Sequence, residues 1–207
     1  MKVPWSGTIV AVQPRVRLLR SLDERSHSYH GYVLRIDGTW AGESGEAGIA
    51  VGRAAHAKHR FCVGMEVSGM AEPVADPRTE TAGWYKASRL RIIRDAGVEE
   101  SKGPPFHGVP PDLETYRARG HRRLDPRTYE TRCATCIWGC RMPVALILDP
   151  WNPSEKRHRF ETFCYGPKSC GLYRAGRERT VPAKDGPSYT EGDWVDESET
   201  AHRGPDE

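Results

Sequence analysis

The sequence predicts a mainly β protein. A small five-stranded barrel fills residues 1–98, and a small Cys-rich, metal-bound β-hairpin module follows at residues 129–176. Three observations carry this. Apolar and polar residues alternate in short runs through the first hundred positions, as half-buried strands require. Gly or Asp-Gly turns separate those runs at short, even spacing. Five of the 6 cysteines lie between positions 133 and 170.

The runs WSGTIVAVQPRVRLLR and SYHGYVLRIDGTW alternate clearly and read as the first two strands. EAGIAVG is a third, shorter one. RAAHAKHRF has helical composition, VGMEVSGMAEPV returns to β, and WYKASRLRIIR closes the region. Three strands, a short helix and two further strands resemble the OB-fold, a five-stranded Greek-key barrel. HRFCVGMEVSG adds to the resemblance, with a helix end, an apolar residue and a Gly-containing turn into strand four. An SH3-like barrel is the alternative.

The OB resemblance implies a face on strands two and three for single-stranded nucleic acid, where aromatics stack on bases and Lys or Arg meets phosphates. By alternation Tyr32, Leu34 and Ile36 fall on the core side, whereas Tyr29, Val33 and Arg35 face out, with Trp40 near the strand's end. Arg15 and Arg17 share a face of the first strand, and Arg89 and Arg91 share one on the last. The nucleic-acid candidates are therefore Tyr29, Arg35, Trp40, Arg15, Arg17, Arg89 and Arg91. The plain alternative is that the aromatics plug the barrel ends and the arginines are solvated.

Residues 99–128 differ in kind. EESKGPPFHGVPPD reads as a linker, and LETYRARGHRRLDPRTY as a short Arg-rich helix limited by Gly120 and Pro126. The cysteines then follow the pattern C-x2-C-x3-C-x23-C-x5-C. Between the third and fourth lie a strand (142–148), a Pro-rich turn (149–155) and a second strand (157–163). Such a hairpin returns Cys164 and Cys170 to Cys133 and Cys136. Four converging thiolates suit tetrahedral Zn²⁺ in a closed structural site.

Two cysteine-bearing turns joined by a hairpin resemble a zinc ribbon, although the x5 spacing is wider than the usual x2. That reading leaves Cys140 over. C-x2-C-x3-C with a distant cysteine also resembles the [4Fe-4S] motif of molybdopterin-dependent oxidoreductases. This second resemblance implies Cys133, Cys136, Cys140 and Cys170 as iron ligands. The chain lacks the hundreds of residues that build the molybdenum site there, so a cluster would belong to a small redox or assembly accessory protein. RFETFCYGPKSC and DWVDE resemble stretches of small prokaryotic proteins and add no function.

Charge is unevenly placed. Formal net charge is +3, yet residues 1–184 carry +10 and residues 185–207 carry −7. The basic body points to a polyanion, and the acidic tail (177–207, expected to be disordered) would screen that face or recruit a protein partner. Hydrophobic residues make up 37% of the chain, and its longest apolar run is VALIL. That is far short of the roughly 20 residues a membrane helix needs. The N-terminus lacks a charged-then-apolar signal, so a cytoplasmic setting and no membrane partner are expected, and reduced cysteines there favour metal over disulfide.

His56, His59 and Cys62 recur at i, i+3 and i+6 without a fourth ligand and read as a surface helix running into a buried strand. G-x-S-x-G, a P-loop and G-x-G-x-x-G are all absent, and no nucleophile, base and acid line up. The expected role is a non-enzymatic binding module for single-stranded nucleic acid. The alternatives are the [4Fe-4S] accessory protein and a protein-binding adaptor.

Overall fold

The structure, a computed structural model, describes residues 1–97, 100–183, 186 and 188–206. The expected boundary between barrel and linker, at residues 98 and 99, lies outside the described residues.

Five strands form a closed ring: β1 (Val3–Arg20), β2 (Arg25–Trp40), β3 (Glu43–Val51), β4 (Glu66–Pro73) and β5 (Trp84–Arg94), with helix α1 (Arg53–His59) between β3 and β4. β1 pairs antiparallel with β2 along its length and with β4 over Val3–Thr8. β4 pairs antiparallel with β5, and a parallel bridge between Ile49 and Trp84 joins β3 to β5 and completes the ring. The architecture is mainly β and is compatible with an OB-like barrel. β1 serves several neighbours because its register with β2 slips twice, between Ile9 and Ala11 and between Arg15 and Val16. Such bulges bend a strand and increase its twist.

Alternation works as expected. Ile9, Val12, Leu34, Ile36 and Ile49 are 0% exposed inside the ring. Burying each stabilises the fold by about 1.5–3 kcal/mol relative to leaving it in water. α1 lies over one end, with His56 buried against the Tyr32 ring at 3.9 Å between centroids.

The cysteine module is not a separate body. Its hairpin, β7 (Gly139–Ile147) and β8 (Lys156–Cys164), continues the ring's sheet, because β7 lies parallel to the far end of β1 through Leu18, Leu19 and Arg20. A two-residue strand, β6 (Arg122–Arg123), edges β8.

The short Arg-rich helix expected before Gly120 is present, while residues 100–112, read as a linker, hold no helix or strand. Asp112 caps helix α2 (Leu113–Arg119) by accepting from Thr115 N–H at 2.7 Å. Leu113 and Tyr116, three apart, bury on one side, and Tyr116 donates to the Ile137 carbonyl at 2.7 Å. A short turn, α3 (Pro126–Thr128), then runs into a single wide π turn at Tyr129–Cys133.

The tail also departs from expectation. Instead of being disordered, it forms a small hairpin, β9 (Arg179–Val181) with β10 (Tyr189–Glu191), and helix α4 (Asp193–Thr200). The tail buries Val181 and Val195 and sets its acids against buried arginines. Arg20, 1% exposed, needs carboxylates and takes Glu161 at 3.0 Å and Glu191 at 2.8 Å. Arg25 pairs with Glu191 and Glu199, and buried Arg123 pairs with Asp193 and Asp196. The tail's acids answer internal arginines, where the sequence pattern suggested a free screen or partner-recruiting arm. Among the described residues no helix is long and apolar enough to cross a membrane.

Candidate metal centre and binding groove

The π turn delivers Cys133 to a tight pair of turns. Cys136 N–H donates to the Cys133 carbonyl and Gly139 N–H to the Cys136 carbonyl, each at 3.0 Å. This first knuckle leads directly into β7. The β7–β8 register sets Gly139 opposite Cys164, so the end of the hairpin returns to its start. There a second knuckle begins: Gly166 N–H donates to Cys164 Sγ at 3.3 Å, and Cys170 N–H donates to the Pro167 carbonyl at 3.1 Å. Cys133, Cys136 and Cys164 pack in one small buried cluster with Leu124 and Tyr129, while Cys170 is half-buried. All six cysteines are free thiols.

Their electrostatics tie the four together. Burial, followed by the charges of Cys136, Cys164 and Cys170, pushes the Cys133 thiol up to about 12. Burial raises Cys136 to about 11, opposed by the backbone N–H groups of Trp138, Phe106 and Gly139 at its sulfur. Burial raises Cys164 as well, against the Gly166 N–H and the guanidinium groups of Arg122 and Arg203. Arg203 also donates to the carbonyls of Tyr165 and Gly166, each at 3.1 Å, so the chain's end braces the second knuckle. Among the described residues, no three His, Cys, Asp or Glu side chains stand as a ready-made metal-ligand group. The chemistry is nonetheless that of soft donors: sulfurs that hinder one another's ionisation, with N–H and guanidinium groups arranged to favour thiolate.

Cys140 is placed elsewhere. It is 0% exposed in the ring's own core, its S–H donates to the Pro14 carbonyl at 3.4 Å, and burial alone raises its pKa. The His56 and His59 rings both lie by Phe61, at 6.1 and 5.3 Å between centroids, while His56 also meets the Pro110 carbonyl at 3.1 Å and Cys62 the Gly97 carbonyl at 3.9 Å.

The seven nucleic-acid candidates divide into two groups. Arg15 and Arg17 both bind Glu80, a buried acid from the β4–β5 connection. Burial works against that carboxylate, but hydrogen bonds from the two arginines hold its pKa below the usual range. Arg35 pairs with Glu46 at 3.3 Å and reaches the Ala134 carbonyl at 3.4 Å. Tyr29 shares a 3.2 Å hydrogen bond with Tyr165, and Arg117 sits over its ring at 5.1 Å. The face expected to stack bases is thus partly covered by the first knuckle and by internal pairs.

The other three meet. Trp40, Arg89 and Arg91 line one groove of about 650 Å³ with Trp5, Ser6, Thr39 and Met70, and no acid lines it. Trp5 is paired with Trp40 across β1 and β2. Arg89 has φ +53°, inside the irregular β4–β5 register. A non-glycine residue rarely adopts that backbone, and here it carries Arg89 to the same groove as Arg91. Both arginines are exposed, and among the described residues neither makes an ion pair. Sequence reasoning did not single out Trp5, whose indole is 3% exposed and forms the buried floor of the groove. It also missed Arg122 and Arg203, which no spacing connects to the cysteines. No family model, curated protein or solved structure matches this chain.

Proposed function

We propose that this chain is a metal-binding protein on an OB-like barrel. In this reading Zn²⁺ held by Cys133, Cys136, Cys164 and Cys170 fastens the cysteine module, and single-stranded nucleic acid binds in the groove of Trp40, Arg89 and Arg91. The observation that carries the binding reading is the contrast among the arginines. Arg15, Arg17 and Arg35 have acids within the molecule, while Arg89 and Arg91 stand unpaired beside indole rings in an acid-free groove. Unpaired guanidinium groups beside aromatic surface are what phosphates and stacked bases require.

For the metal, soft thiolate donors in a closed set suit zinc, which would supply structural cross-linking and no chemistry. Four thiolates around a divalent ion leave excess negative charge, which Arg122 and Arg203 face. The [4Fe-4S] alternative needs Cys140, whose thiol lies in the apolar core with its S–H on Pro14, so zinc is preferred. Metal analysis of anaerobically purified protein tests this. Zinc near one per chain in a colourless sample is expected, and a brown sample absorbing broadly near 400 nm overturns it.

Fluorescence anisotropy with labelled oligonucleotides at two salt concentrations tests the groove. Each phosphate contact contributes about −0.7 to the log–log salt slope, so Arg89→Ala and Arg91→Ala together flatten it by about 1.4. No binding by the wild type at low salt ends the nucleic-acid reading and leaves the protein-binding adaptor.

A further inference from the structure

We infer that Gln13 on β1 positions the first cysteine knuckle for metal, acting through the backbone of Cys133 and Cys136. The inference rests on the zinc reading above. Gln13 is 9% exposed and lies 120 residues from Cys133, on the outer side of the ring. Its Nε2 donates to the Cys133 carbonyl at 3.0 Å and to the Cys136 carbonyl at 2.9 Å. Its Oε1 accepts from the Tyr129 hydroxyl at 2.6 Å. Both amide hydrogens therefore go to the knuckle, and the oxygen goes to the turn that leads into it.

Each of the two carbonyls already accepts one bond from within the knuckle, from Cys136 N–H and Gly139 N–H. Gln13 supplies the second. A carbonyl oxygen has two lone pairs, so both peptide groups are saturated and fixed in rotation. Fixing those peptides fixes the Cα–Cβ directions of Cys133 and Cys136, and so the directions of their sulfurs. The fit is close. A Cβ at Gly139 would stand 2.5 Å from the Cys133 carbonyl oxygen and 2.8 Å from Gln13 Nε2. Only glycine at 139 lets the ring's amide reach the knuckle. An outer partner that orients a metal's ligands, when removed, typically lowers metal affinity by about 10- to 100-fold.

The experiment compares full-length wild type, Gln13→Ala, Gln13→Asn and Tyr129→Phe. Zinc affinity is read by competition with a chromogenic chelator, ligand geometry by the visible spectrum of the Co²⁺-substituted protein, and the fold by circular dichroism. Gln13→Ala is expected to weaken zinc by about 10- to 100-fold and to alter the tetrahedral Co²⁺ bands. Tyr129→Phe, which leaves both amide donors in place, stays within about twofold. If Gln13→Ala does not fold, Gln13→Asn decides, since it keeps the amide but withdraws it by one methylene and should alter the same bands. A wild type that binds zinc, with a folded Gln13 variant of unchanged affinity and Co²⁺ spectrum, overturns the role of Gln13 alone. A wild type that takes up neither Zn²⁺ nor Co²⁺ through its thiolates overturns the zinc reading and this inference with it.

Discussion

Replacing Asp196 with alanine tests whether the acidic tail is structural. Asp196 is 7% exposed on α4, and Arg123, its partner, is 1% exposed. One carboxylate oxygen accepts from the Arg123 backbone N–H at 2.8 Å and the other from its Nε at 2.9 Å. Removing one partner of a buried pair generally costs about 3–5 kcal/mol, because the other charge stays buried and uncompensated. Arg123 keeps the exposed Asp193 carboxylate and the Glu191 carbonyl at 3.2 Å, so the low end, about 3 kcal/mol, applies. At this chain length 1 kcal/mol corresponds to roughly 2–4 °C, which makes the expected fall in Tm about 6–12 °C. The double variant Arg123→Met, Asp196→Leu removes both charges and should recover much of the loss. Differential scanning calorimetry at neutral pH reads both proteins. A Tm for Asp196→Ala within 2 °C of wild type would mean that α4 is not docked through Arg123, and the electrostatic account of the tail fails.

Three further outcomes follow from the same geometry. Cys133→Ser and Cys164→Ser should each release zinc and lower the module's thermal transition, while Cys140→Ser leaves zinc stoichiometry unchanged; loss of zinc from the last variant means the ligand set is wrong. Burial, then Arg25 and Arg20, depress His27 from 6.5 to about 4. The folded state therefore holds this ring neutral, so stability is full above pH 6.5 and declines as pH falls toward 4, because the unfolded chain takes up the proton first. At pH 5 the loss from this residue is about 2 kcal/mol, seen as the part of the urea-midpoint shift that His27→Gln removes, while buried His121, also held neutral beside it, keeps its own share. Trp40→Ala should weaken oligonucleotide binding by roughly 1–3 kcal/mol at every salt concentration if the indole stacks on a base, and equal affinity for both proteins would place the bases elsewhere.

Strand positions were readable because burial on one face of a strand imposes a two-residue period. Tyr32, Leu34 and Ile36 obey it, and so do Met142, Val144 and Leu146 on the first strand of the hairpin, whereas burial on the second strand simply rises toward Cys164. The cysteine spacing likewise marks two knuckles and a hairpin, since metal ligands leave short, local signatures. Cys140 could not be assigned that way. Its spacing from Cys136 is local, but the way its sulfur faces depends on β7 packing beside β1.

The remaining decisions were long-range. Glu80 is more than sixty positions from Arg15 and Arg17, and Glu161 is 141 from Arg20. An arginine looks the same in sequence whether it meets water, phosphate or a buried acid. What separates Arg15 from Arg91 is whether the closed ring brings a carboxylate to it. Composition alone read the tail as unfolded, because its own apolar content is small; the arginines its acids meet lie elsewhere in the chain. Gln13 carries no local signal at all, and its place follows only from the ring's outer face meeting the knuckle. Periodicity and spacing thus determined the strands and the candidate thiols, whereas tertiary contact decided which charges remain free, because desolvation and pairing depend on what lies opposite a side chain.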